Sequence, residues 1–148
     1  QSLPVTDPLM TRFNILLSEG IAMVIWALEN AIGGEIFVPK IPSYRLSDVV
    51  EAIAPGHKIK FVGVRPGEKL HEEMITSSDS YSTIDLGEYY AILPGDRRLL
   101  DTYLDSNLKC KLVEPGFAYN SLTNPSFLSI SDIRRLIKEN LDSSFMPR

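Results

Sequence analysis

Apolar positions recur along this chain with more than one period. Leu3 and Val5 belong to a short apolar stretch closed by Thr6-Asp7-Pro8, residue types that favour a turn. "TRFNILL" reads as a strand leading to Ser18, whose side-chain oxygen suits a helix N-cap. From Glu19 the spacing becomes helical, with Ile21, Val24, Ile25, Leu28 and Ala31 or Ile32 on one stripe. Gly33-Gly34 is the expected stop, because glycine takes the left-handed backbone without a side-chain clash. The helix is apolar on most sides, which predicts that it is buried.

"EIFVP" predicts a strand, and Lys40 to Leu46 a loop. Ser47 is the expected cap of a second helix, in which Val49, Val50 and Ile53 share a face and beyond which Pro55-Gly56 breaks the pattern. "IKFVGV" predicts the strand that delivers the chain to Arg65. A short helix is expected over Lys69 to Met74, although Glu72 and Glu73 near its end oppose the helix dipole. "SYSTIDLGEYYAIL" alternates and reads as strands around Gly87. Asp96 to Cys110 is charged and irregular, with room for a short helix, and "GFAYNSLTNPSFLS" is turn-rich. Ser129 or Ser131 then caps a last helix, Asp132 to Leu141, with Ile133, Leu136, Ile137 and Leu141 on one face. This order of elements is that of an α/β chain, or α+β in isolation. It divides into a core over residues 1–94 and an irregular extension with a terminal helix over 95–148.

Composition narrows the classes. The 148 residues suffice for one domain, and 44% hydrophobic with 23% charged residues fits a globular chain. A formal net charge of -4 argues against nucleic-acid binding, which needs a basic surface, but leaves room for a local cationic pocket. One cysteine, Cys110, excludes a disulfide within the chain and fits a reducing compartment. His57 and His71 are too few for a histidine zinc site, and no segment is long and apolar enough to span a membrane. The chain starts at Gln1 on a strand-like stretch, which reads as a piece of a longer protein.

The candidate chemistry lies at two arginines. Arg12 follows a turn at the start of a strand. Its planar fork could pair with phosphate oxygens, although position alone favours an ordinary surface arginine. Arg65 ends a strand, and Pro66-Gly67 forces a sharp bend before Glu68. An anion would take Arg65 and a sugar hydroxyl would suit Glu68; a local surface ion pair is the other reading. His71 with Glu72 and Glu73 lacks metal-ligand spacing and reads as a helix-surface or half-buried structural histidine. Lys40 reads as a loop lysine. Two flanking lysines could lower the Cys110 pKa, but nothing near it in sequence resembles a catalytic partner.

Several segments together resemble a known family. "TDPLMTRF", "GGEIFVPKIPS", "GVRPGEKLHEEMI" and "FAYNS" followed by "FLS" are similar to the C-terminal part of nucleotide-sugar 4,6-dehydratases acting on UDP-N-acetylglucosamine. Within these, the inverting type that opens pseudaminic acid synthesis matches best. The likeness runs from Leu3 to about Leu136 and is strongest up to Pro94. It implies an extended short-chain dehydrogenase/reductase whose N-terminal Rossmann domain binds NADP and whose smaller C-terminal portion, the part present here, binds the nucleotide-sugar. Arg12 and Arg65 would then clamp the diphosphate, Glu68 would hold the ribose, and Leu3 to Val5 would lie along the uracil. The Gly-rich cofactor loop and the Tyr-x-x-x-Lys pair belong to the family's N-terminal part, so this chain alone is expected to be inactive. In the whole enzyme the implied chemistry is oxidation at carbon 4, loss of water across carbons 5 and 6, and hydride return to carbon 6. A cytoplasmic homo-oligomer completes the expectation. Asn14 stands where the inverting type is expected to carry an aromatic residue, which leaves the subtype open. The rival readings are a non-catalytic UDP-sugar-binding module and an oligomerisation domain joined through the apolar helix.

Overall fold

A computed structural model describes residues 2–95, 97–106 and 108–147 of the chain. Gln1, the expected start of the piece, and Asp96, the expected start of the irregular stretch, lie outside the described residues. In chain order the elements are β1 (Leu3–Val5), β2 (Thr11–Phe13), α1 (Leu17–Asn30), β3 (Ile36–Pro39), β4 (Ser43–Arg45), α2 (Leu46–Ile53), β5 (Ile59–Phe61) and β6 (Glu73–Ile75). A 3₁₀ turn (Asp79–Ser82), β7 (Thr83–Asp85), β8 (Tyr89–Ile92), α3 (Arg97–Leu104), β9 (Lys111–Leu112), β10 (Tyr119–Asn120) and α4 (Ile130–Asn140) follow. This is a mixed α/β chain, as the element order predicts. It divides into two compact units. The first takes in the stretches up to Asn14, from Pro42 to Glu72 and from Ser121 onward; the second is Ile15–Ile41 with Glu73–Asn120.

The first unit holds two small sheets. β1 pairs with β5 in parallel, and β2 pairs with β4 antiparallel, with Arg12 opposite Tyr44. Its interior is unusually polar. Thr11, Ser43, Ser121 and Asn124 are buried beside Val5, Met10, Ala52 and Ile133. Such groups must find partners away from water, and the Asn124 amide donates to Ser43 Oγ at 2.9 Å. α4 packs on α2, and Arg134 donates to the carbonyls of Ala52 and Glu51 at 3.0 Å each, capping the end of that helix. Ser129 caps α4: its Oγ accepts from the Asp132 N–H at 3.1 Å, while the Asp132 carboxylate accepts from the Ser129 N–H.

The second unit is built on an antiparallel sheet in the order β3-β8-β7-β9. Ile84, Leu86, Ala91, Leu93 and Tyr103 form its core, with Phe37, Trp26 and Cys110 packed against it. The β7–β8 hairpin turns at Gly87, whose φ of +92° suits a residue without a side chain. The Tyr103 hydroxyl donates to Glu35 Oε1 at 2.6 Å, tying α3 to the loop before β3. Burial, then this bond to a carboxylate, raises the Tyr103 pKa well above its ordinary value.

Five local expectations are corrected. α1 starts at Leu17, because the Glu19 carboxylate reaches back to the Leu16 N–H at 2.7 Å; Ser18 lies inside the first turn. The helix ends at Asn30, before the glycines, where the Asn30 amide bonds the Trp26 carbonyl and Glu35 takes the Ile32 and Gly33 N–H groups. No residue of α1 is buried, and Ile21, Val24, Ile25 and Leu28 are each more than half exposed. Within the second unit, α1 is held by Trp26, packed edge-on against Phe37 at 5.3 Å and 4.5 Å from Tyr89. The expected loop from Lys40 contains β4, which runs straight into α2 at Leu46, so Arg45 rather than Ser47 occupies the cap position. The expected helix over Lys69 to Met74 is absent: Glu73–Ile75 is drawn into a strand by pairing with β10. No helix among the described residues is long and apolar enough to cross a membrane.

Candidate functional site

The sequence candidates meet in the first unit at the turn after β5. The Glu68 N–H donates to the Arg65 carbonyl at 3.0 Å, and Pro66 and Gly67 fill the two central positions. Gly67 has φ +82°, which the third position of a type II turn requires and which a residue with a side chain resists. The bend places the Glu68 carboxylate between two neighbours. One oxygen accepts from the Arg65 backbone N–H at 3.2 Å, and the other lies 3.5 Å from Arg12 Nη2.

Arg12 comes from β2, where strand alternation sends Thr11 inward and Arg12 to the opposite face. Its guanidinium is heavily engaged. Nη1 donates to the Thr11 carbonyl at 2.7 Å and to the Leu70 carbonyl at 3.1 Å, and Nε lies 3.4 Å from Glu72. The Arg65 side chain is exposed and makes no hydrogen bond or ion pair among the described residues. Two carboxylates therefore balance Arg12, while the Arg65 guanidinium has no carboxylate partner among the described residues. The local ion pair considered from the sequence forms between Glu68 and Arg12, not between Glu68 and the Arg65 side chain.

Val5 stands apart from this group. Its side chain is buried and its carbonyl accepts from the Val62 N–H at 2.9 Å, which ties β1 to the strand that leads to Arg65. His71 is half-buried, with Nδ1 2.8 Å from the Thr11 hydroxyl. Thr11, Ser121 and the Leu70 carbonyl belong to this cluster and were missed by sequence reasoning, which weighed Glu72 only as a metal ligand. The available signal was Thr11 itself, the inward neighbour of a candidate arginine on a strand.

The other candidates lie in the second unit. Lys40 Nζ is 2.6 Å from Asp85 and 4.4 Å from the centre of the Tyr90 ring, so it is bound rather than free. Burial, and then the charge of Asp85, push the Cys110 thiol pKa up, the opposite of what two lysine neighbours in sequence could do. The described residues hold no group of three or more His, Cys, Asp or Glu placed to bind a metal. Gly33 and Gly34 lead into β3 rather than into a helix N-terminus.

Residues 1–94 match the family described as "Polysaccharide biosynthesis protein", and the chain belongs to that family. Over 142 residues it is 42% identical to the UDP-N-acetylglucosamine 4,6-dehydratase (inverting) of Campylobacter jejuni subsp. jejuni serotype O:23/36 (strain 81-176), a match covering 93% of this chain and 42% of that protein. It is 31% identical over 144 residues to the UDP-glucose 4-epimerase of Rickettsia canadensis (strain McKiel), covering 93% of this chain and 41% of that protein. Among solved structures it is similar to the X-ray structure of Pen from Bacillus thuringiensis, with a TM-score of 0.75 and 28% identity over 93% of this chain and 41% of that one. The chain thus spans about two fifths of the length of these relatives.

Proposed function

We propose that this chain is the nucleotide-sugar-binding portion of a UDP-N-acetylglucosamine 4,6-dehydratase, acting in the synthesis of a surface or flagellin glycan. The observation that carries the reading is Glu68, anchored by the Arg65 N–H and by Arg12 beside an unengaged Arg65 guanidinium. A carboxylate held in this way keeps lone pairs free to accept from the two hydroxyls of a ribose. Arg65 can swing onto the adjoining diphosphate, and the remaining Nη2 hydrogen of Arg12 can join it. The likeness to the inverting dehydratase supports the choice of ligand.

In this reading the chain contributes binding energy rather than bond-making groups. Contacts to the distant UDP hold the hexose in place for residues elsewhere in the protein, which turns remote binding into orientation at the reacting carbons. NADP, held by an N-terminal Rossmann domain, supplies the hydride chemistry when bound. The exposed apolar stripe of α1 supports a further partner of this kind, either that domain or a second copy in a cytoplasmic homo-oligomer.

The similarity to a UDP-glucose 4-epimerase favours one rival, in which the same UDP contacts serve an epimerase. Incubating the full-length protein with UDP-N-acetylglucosamine separates the two. The dehydratase reading expects a keto product lighter by one water, and the epimerase reading expects a product of unchanged mass. Calorimetric titration of UDP into the full-length protein tests the site itself; no heat of binding would refute the assignment.

A further inference from the structure

The Thr11 hydroxyl lies 2.8 Å from His71 Nδ1 and 2.7 Å from Ser121 Oγ, and Ser121 Oγ accepts from the Glu72 N–H at 2.9 Å. Thr11 is 2% exposed and Ser121 0%, so water does not complete their bonding. Counting hydrogens sets the direction of the line. Ser121 Oγ already receives a backbone N–H, and the acceptor within reach of its own hydrogen is Thr11 Oγ1. Thr11 then has its own hydrogen for His71 Nδ1, which must be the bare nitrogen of a neutral ring carrying its hydrogen on Nε2. The opposite direction would leave the Ser121 hydroxyl hydrogen buried without an acceptor, a cost folded proteins avoid.

The line ends on the segment that holds Arg12. Leu70 accepts from both the Thr11 N–H at 3.0 Å and Arg12 Nη1 at 3.1 Å, and the Glu72 carboxylate lies 3.4 Å from Arg12 Nε. His71 sits between these two residues. We infer that His71 is a positioning residue for Arg12: as a neutral hydrogen-bond acceptor it orders the Thr11–Ser121 line, locks residues 70–72 against β2, and so fixes the plane of the guanidinium. The consequence for ligand binding rests on the nucleotide-site reading; the role of His71 toward Arg12 does not.

Two measurements on the full-length protein test this. Long-range proton–nitrogen spectra at neutral pH, with the His71→Asn spectrum identifying the signal, should show His71 as the Nε2–H tautomer. A hydrogen on Nδ1, or a doubly protonated ring, would overturn the inference. The second measurement compares His71→Asn, whose amide oxygen can replace Nδ1 as acceptor, with His71→Leu, which fills the space without one. The Arg12 Nε–H resonance should move in the leucine variant and stay in the asparagine variant. The UDP Kd should rise roughly five- to tenfold in the leucine variant, about the effect of one hydrogen bond, and stay within about twofold in the other. Equal behaviour of both variants in the Arg12 signal overturns the inference. A protein that shows the Arg12 response but binds no UDP refutes the ligand assignment and leaves the His71 role standing.

Discussion

Glu68 divides its two carboxylate oxygens between Arg12 and the Arg65 backbone, and this division separates the roles of the two arginines. Arg12 is part of the frame, whereas the Arg65 side chain is spare. Arg65→Ala should therefore leave the melting temperature almost unchanged, within about 0.5 kcal/mol as for other surface changes. It should weaken UDP binding by about 1.5–3 kcal/mol, the usual value of a charge-assisted hydrogen bond. Titration and thermal unfolding of the same sample check both halves; a loss of stability without a loss of affinity would contradict the assignment. The sequence exposed Arg65, Pro66, Gly67 and Glu68 as a constrained corner because their spacing is local. It did not reveal that Glu68 meets Arg12, 56 positions away, or that Thr11 reaches Ser121 across 110. Contacts at such separations leave no periodicity to read.

Between elements, two polar contacts join neighbours within a unit. Arg134 caps α2 from α4 with a two-pronged fork, so Arg134→Ala should cost about 1–3 kcal/mol in denaturant unfolding. Arg134→Lys should recover only part, because an ammonium cannot span two carbonyls as a planar fork does. In the β7–β8 hairpin, burial alone would raise the Asp85 pKa. The Lys40 bond, the Gly87 N–H and the charges of Lys40 and Lys111 outweigh burial and hold the pKa below its ordinary value. A carboxyl with a depressed folded-state pKa contributes stability above the unfolded value, near ~3.9, and loses it as pH falls through the folded one. The melting-temperature gap between the wild type and Asp85→Asn should therefore narrow from pH 7 to pH 3. The hairpin and α4 were legible because each has alternation or a cap in its own sequence. β4 and β10 were not, because Ser-Tyr-Arg and Tyr-Asn carry neither an apolar run nor an alternation.

For the whole molecule, the apolar stripe of α1 is the feature that the sequence read correctly as apolar and wrongly as buried. The periodicity reported what the stripe can cover, not what covers it. Val24→Asp and Leu28→Asp should change the melting of this chain by no more than about 0.5 kcal/mol each, since both positions are exposed in it. In the full-length protein the same changes should lower the melting temperature or the assembly state measured by light scattering. If both forms are indifferent, the stripe has no partner. The division into two units was also illegible, because the chain alternates between them and no linker composition marks the crossings.

Trp26 is the single tryptophan of the chain, and its ring sits against Phe37 and Tyr89 inside the second unit. Its emission is therefore a private gauge of that unit. Circular dichroism, by contrast, sums the helices of both. A fluorescence melt overlaid on a dichroism melt would measure how tightly the two units are coupled: one shared midpoint means they come apart together, and two midpoints mean that each half has its own melting point.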